Sequence, residues 1–157
     1  MQQLDVTSVS IIIASASVVI GMILAILQLR DQNKTRQAQL FMGVYDQFSR
    51  SDTLKRLFQT IDNFEHCEPG KKPAILEEDI ESFYSVMAFF EGIGVLVCKK
   101  LIDVHLVADL ISGPTIRLWR SVGNYVKSER ERLERPQVWE WTEYLSSEIM
   151  KIPSRRF

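Results

Sequence analysis

The chain has 157 residues, a formal net charge of −1 and 46% hydrophobic residues, which suits one compact domain. That composition excludes wholesale disorder, and near neutrality excludes a chain-wide electrostatic grip on nucleic acid. Two cysteines and two histidines are too few for a disulfide framework or a cluster-rich metalloprotein.

After a short tail, residues 1–5, the run VTSVSIIIASASVVIGMILAILQL extends from Val6 to Leu29 without an ionisable side chain. About 20 helical residues cross a hydrocarbon core about 30 Å thick, so this run predicts a transmembrane helix over 6–29. A cleavable signal peptide would start with basic residues and carry a shorter apolar core. Here the charge before the run is acidic, Asp5, although the small residues Ala14 to Ala16 resemble a cleavage site. Arg30, Lys34 and Arg36 follow the run, and the positive-inside rule places the N-terminus outside and the rest in the cytoplasm. For a prokaryotic cell that means the inner, or cytoplasmic, membrane. Within the run, Ser17, Gly21 and Ala25 recur every four residues, a stripe through which membrane helices pack closely. The stripe makes a homo-oligomer through the membrane helix one expectation; lipid contact is the plainer one.

The segment RDQNKTRQAQ, residues 30–39, has neither Gly nor Pro and predicts a polar helical stalk whose cations can meet anionic lipid. A cytoplasmic helical domain over 40–152 follows, with a tail at 153–157. Leu40, Phe41, Val44, Tyr45 and Phe48 show helical spacing, and so do Leu54, Leu57, Phe58, Ile61 and Phe64 after a cap at Ser51 or Asp52. EPGKKP, residues 68–73, breaks the pattern, and a third helix is expected to start near Pro73 or Ala74. From Val86 to Cys98 it is apolar nearly all round, which predicts the central core helix. Gly92 and Gly94 lower helix propensity there, and close packing against a neighbour is their expected return. Asp103 predicts a cap for a short helix, Val104–Ile111, closed by Ser112 and Gly113; Pro114 then opens the next, carrying Ile116, Leu118, Trp119, Val122, Tyr125 and Val126. The tail of that helix, KSERERLER, reads as a solvated charged face. Pro136 ends it, and a last helix holds Val138, Trp141, Leu145 and Ile149. The fold class is therefore all-α: one membrane helix continuing into a bundle of about five cytoplasmic helices.

Chemistry is harder to find. His66, Cys67, Cys98 and His105 match no zinc spacing, and Cys98 falls inside the apolar helix. There is no G-x-S-x-G, and GIG at Gly92–Gly94 lacks the strand that a phosphate-binding loop requires. No catalytic, cofactor or metal residue is assigned. Glu91 is the informative position, because a carboxylate in so apolar a stretch must be paired, protonated or exposed through a groove. Arg117 and Arg120, on the helix of Trp119, are its expected partners; the alternative is a carboxylate lining a groove for a ligand.

Three segments carry a family resemblance: QLRDQNKTRQAQLFMGVYDQF, then FYSVMAFFEGIGVLVCKKLIDVHLVADLISGPTIRLW, then WEWTEYL. Together they resemble the domain of unknown function 4760 family of prokaryotic proteins. The resemblance implies a small membrane-anchored helical protein and brings no activity, cofactor or site residue. The leading functional expectation is an anchored, non-enzymatic adaptor, regulator or assembly subunit, whose partners are the lipid bilayer and an unidentified protein rather than nucleic acid. A membrane effector of a toxin or phage-defence system is the second expectation, and an enzyme with an unfamiliar site the third.

Overall fold

A computed structural model describes residues 6–68 and 80–153. Among them are five helices and no strands: α1 (Val6–Ser49), α2 (Ser51–Glu65), α3 (Ile80–Cys98), α4 (Val104–Leu133) and α5 (Glu140–Lys151). The chain divides into two compact units, Met1–Gln39 and Leu40–Phe157.

In the first unit, α1 is long and apolar enough to cross a membrane by length and composition. Its aliphatic side chains cover no core: Ile11, Ile12 and Ile13 are each more than 60% exposed. Two of its described hydroxyls close on their own helix. Ser15 Oγ donates to the Ile12 carbonyl at 2.9 Å and Ser17 Oγ to that of Ile13 at 2.8 Å. A serine bonded in this way leaves no polar group stranded in an apolar surrounding.

The second unit takes its core from all five helices. α3 packs on α2 and α5, and α4 packs on the same two neighbours. The expected helical faces supply the interior, except that Leu40 and Phe58, expected on those faces, are exposed. Phe41 and Phe48 come from the end of α1, Leu57, Ile61 and Phe64 from α2, and Phe83, Met87, Phe90 and Ile93 from α3. Each large side chain fully buried contributes about 1.5–3 kcal/mol. Aromatic rings join the layers: Phe48 stacks on Phe89 at 5.9 Å and meets Phe90 edge-on, while Tyr125 lies 5.3 Å from Phe64 and 5.9 Å from Phe83. α3 passes the same length and apolarity test as α1, yet it is the core helix that its all-round hydrophobicity predicts.

Of the expected boundaries, one holds and one shifts. The short helix expected over Val104–Ile111 and the helix expected from Pro114 join within α4 across a non-helical break at Ile111 (φ −130°, ψ 17°), so the first segment ends where the sequence placed its end. Proline lacks the amide that would bond the Leu110 carbonyl, and next to it Thr115 donates its hydroxyl to the Ile111 carbonyl at 2.8 Å. Asp103 does cap this helix, accepting from the His105 amide at 2.9 Å. Val138 precedes the last helix, which begins at Glu140. The expected start of the third helix near Pro73 or Ala74 lies outside the described residues.

Candidate functional site

The most built-up polar arrangement in the second unit lies where α5 meets α3. A helix start leaves four amides without intrahelical acceptors, and a Ser, Thr, Asp or Asn at the cap normally accepts from one. The α5 cap position is instead Trp139, which has no side-chain acceptor and sits in the left-handed region (φ 56°, ψ 32°). Glu91 supplies the missing acceptor from α3. Its Oε2 accepts from the Thr142 amide and the Thr142 hydroxyl, both at 2.8 Å, and its Oε1 from the Trp141 amide at 3.3 Å. Thr142 is fully buried. A carboxylate at a helix N-terminus satisfies both the orphan amides and the positive end of the helix dipole.

Gly94, one turn beyond Glu91, makes that approach possible. A Cβ built there would fall 2.1 Å from the Trp141 carbonyl oxygen and 2.6 Å from its carbon. Backbone atoms therefore occupy the space that any side chain would need. Gly92, by contrast, has nothing within 4 Å of such a Cβ. The pair of glycines that the sequence groups together thus divides, with close packing at Gly94 alone.

The turn between α4 and α5 is held from the other side by Arg130. Its Nε donates to the Val138 carbonyl at 2.8 Å, and one terminal nitrogen pairs with Glu143 on α5. The guanidinium carbon lies 6.0 Å from the centre of the Trp119 ring, within cation–π reach. Gly123, one turn after Trp119, leaves room for that indole. With its side chain only 15% exposed, Arg130 departs from the solvated face expected of KSERERLER. It is an internal clamp. Trp139, held between these two attachments, places its ring 5.9 Å from Tyr84 and 6.5 Å from Phe83.

The expected ion pair of Glu91 with Arg117 and Arg120 is not formed. Arg117 turns to α2, where its Nε donates to Glu65 Oε1 at 2.9 Å and a terminal nitrogen to Glu65 Oε2 at 2.8 Å and to Asp62 at 3.4 Å. Arg120 is exposed. The reason is geometric: α5 presents backbone amides to Glu91, whereas Arg117 lies beside the acidic end of α2. The Arg117 hydrogen bond holds the Glu65 carboxyl below its usual range, and Glu65 raises the Arg117 guanidinium in turn. Burial raises the Tyr125 phenol between its aromatic neighbours. The remaining expected site residues, Ser17, Gly21 and Ala25, lie exposed on α1 in the first unit. The His66 ring nitrogen Nδ1 lies 2.7 Å from the Asp62 carbonyl.

Thr142, Trp139 and Arg130 were missed from sequence. One signal was present: WEWTEYL opens a helix without a capping residue, while Glu91 stands uncompensated in α3. Chemically, this carboxylate occupies the place where a helix N-terminus would receive an external anion. It locks α5 to α3 and closes that position.

Such an arrangement defines a class: a long apolar helix in one unit, then a helical domain whose last helix is capped by its central one. The chain belongs to the family described as Domain of unknown function (DUF4760), whose model matches residues 15–148. No curated protein and no solved structure matches it.

Proposed function

We propose that this protein is a single-pass membrane anchor carrying a cytoplasmic helical domain that docks another protein, as an adaptor, regulator or assembly subunit. The carrying observation is the uncharged run from Val6 to Leu29, fully helical, followed by Arg30, Lys34 and Arg36. The run supports insertion, and the cations after it support an N-terminus outside and a domain inside the cytoplasmic membrane of a prokaryote. A docking role is supported by how the polar groups of the domain are spent. Glu91, Arg117 and Arg130 hold helices to one another, which favours a rigid platform.

Proximity labelling tests the role, with the full chain and a chain ending at Gln39 each fused to the same labelling enzyme. The proposal expects a neighbour that only the full chain marks. Identical neighbours for both would reject docking by the domain. Growth arrest with membrane leakage on expression, and no domain-specific neighbour, would put a membrane effector in its place.

A further inference from the structure

We infer that α1 carries a seam for a second, parallel copy of this chain, running from Ser10 to Gln39 and continuous from the apolar run into the stalk. The parallel orientation rests on the anchoring proposed above, because two copies inserted alike enter the stalk side by side. A helix turns about 100° per residue, so the positions sharing one face follow directly from the sequence. Within a sector about 80° wide, the apolar run places Ser10, Ala14, Ser17, Gly21 and Ala25. The same sector continues through Gln28, Gln32, Thr35 and Gln39. No charge and no large aliphatic side chain falls on it between Ser10 and Gln39, although both kinds crowd the rest of the helix.

Small residues alone describe many lipid-facing helices, so the polar half carries the inference. In a symmetric parallel pair each seam residue meets its own copy. Charges then repel, whereas amides are self-complementary, each offering donors and an acceptor. The amides of Gln28, Gln32 and Gln39 make no hydrogen bond among the described residues, and all three side chains are exposed. The charges at the edges of the seam are complementary. Asp31 borders it on one side and Arg36 on the other, five residues further on. That offset and opposite flanking are what bring flanking residues of two parallel helices together, so Asp31 of each copy faces Arg36 of the other.

Disulfide mapping of the full chain in native membranes tests the seam, after Cys67 and Cys98 are replaced by Ser. Single substitutions Gln28→Cys, Gln32→Cys and Gln39→Cys should cross-link several-fold more than Asn33→Cys and Gln37→Cys on the far side. Asp31→Arg should lower the yield of Gln32→Cys dimers, and adding Arg36→Asp should restore it. Equal yields around the helix, no dimers, or no rescue in a chain that stays in the membrane would overturn the seam while leaving the anchor intact. A periodic pattern in a chain released to the soluble fraction would support the seam and reject the anchor. A flat pattern in a released chain would reject both.

Discussion

Adding one methyl group at Gly94 should unfasten α5. In Gly94→Ala the new Cβ would lie 2.1 Å from the Trp141 carbonyl oxygen and 2.9 Å from its Cβ. Ordinary carbon contacts begin near 3.5 Å, so the start of α5 must retreat by about 1 Å or more. The neighbouring atoms are backbone in a helix whose first amides are tied to Glu91, so retreat stretches the Thr142 bonds now at 2.8 Å. Overpacking costs about 1–3 kcal/mol, and each weakened hydrogen bond to a charged group up to about 1.5–3 kcal/mol. Against this, alanine gains about 1 kcal/mol of helix propensity over glycine. The net loss is about 2–4 kcal/mol, a large share of an ordinary stability of about 5–15 kcal/mol. Gly92→Ala supplies the control, because the same propensity gain meets open space there and the variant should be neutral or slightly more stable. The assay is thermal unfolding of the full chain in detergent, followed by the fluorescence of Trp119, Trp139 and Trp141, which lie on α4 and at the start of α5. Gly94→Ala should melt about 10 °C or more below wild type, given about 4–8 °C per kcal/mol for small domains. Shifts of the same sign in both variants would refute the close approach.

Glu91→Ala should cost about 2 kcal/mol, the upper end of cap losses, and Glu91→Gln less, since one acceptor remains. In a double-mutant cycle, Glu91→Ala and Arg117→Ala should add within about 0.5 kcal/mol; a large coupling would restore the ion pair that the sequence suggested. The Glu65–Arg117 pair predicts a pH effect. Glu65 titrates below its ordinary 4.5 when folded, so its contribution is complete above 4.5 and is lost as pH falls through the folded value. Melting of wild type and Arg117→Ala should therefore converge in that acid window, and a constant gap from pH 7 to pH 3 would contradict the assignment.

The helical faces were legible because burial follows a 3.6-residue period. Phe41, Leu57, Ile61, Met87 and Leu118 all lie in the core where spacing put them. The break at Ile111 was legible from Ser112, Gly113 and Pro114; spacing does not say how closely the two segments on either side of it join into one run, α4. Glu91 announced that an acid in an apolar helix needs a partner, but the partners are amides and a hydroxyl at the start of α5. Backbone donors have no letter in a sequence, whereas Arg117 and Arg120 do, so side-chain reasoning chose the arginines. Arg130 was misread for a related reason: alternating charge describes a solvated helix unless a neighbouring turn folds over it, and Val138 does so here.

Placement in the membrane is the claim on which the functional account stands. The direct measurement is a dual reporter fused after Phe157, fluorescent inside the cell and phosphatase-active outside, read in carbonate-washed membranes. The account predicts a membrane-retained protein that fluoresces and shows no phosphatase activity. Phosphatase activity, or release of the fusion into the soluble fraction, would contradict it.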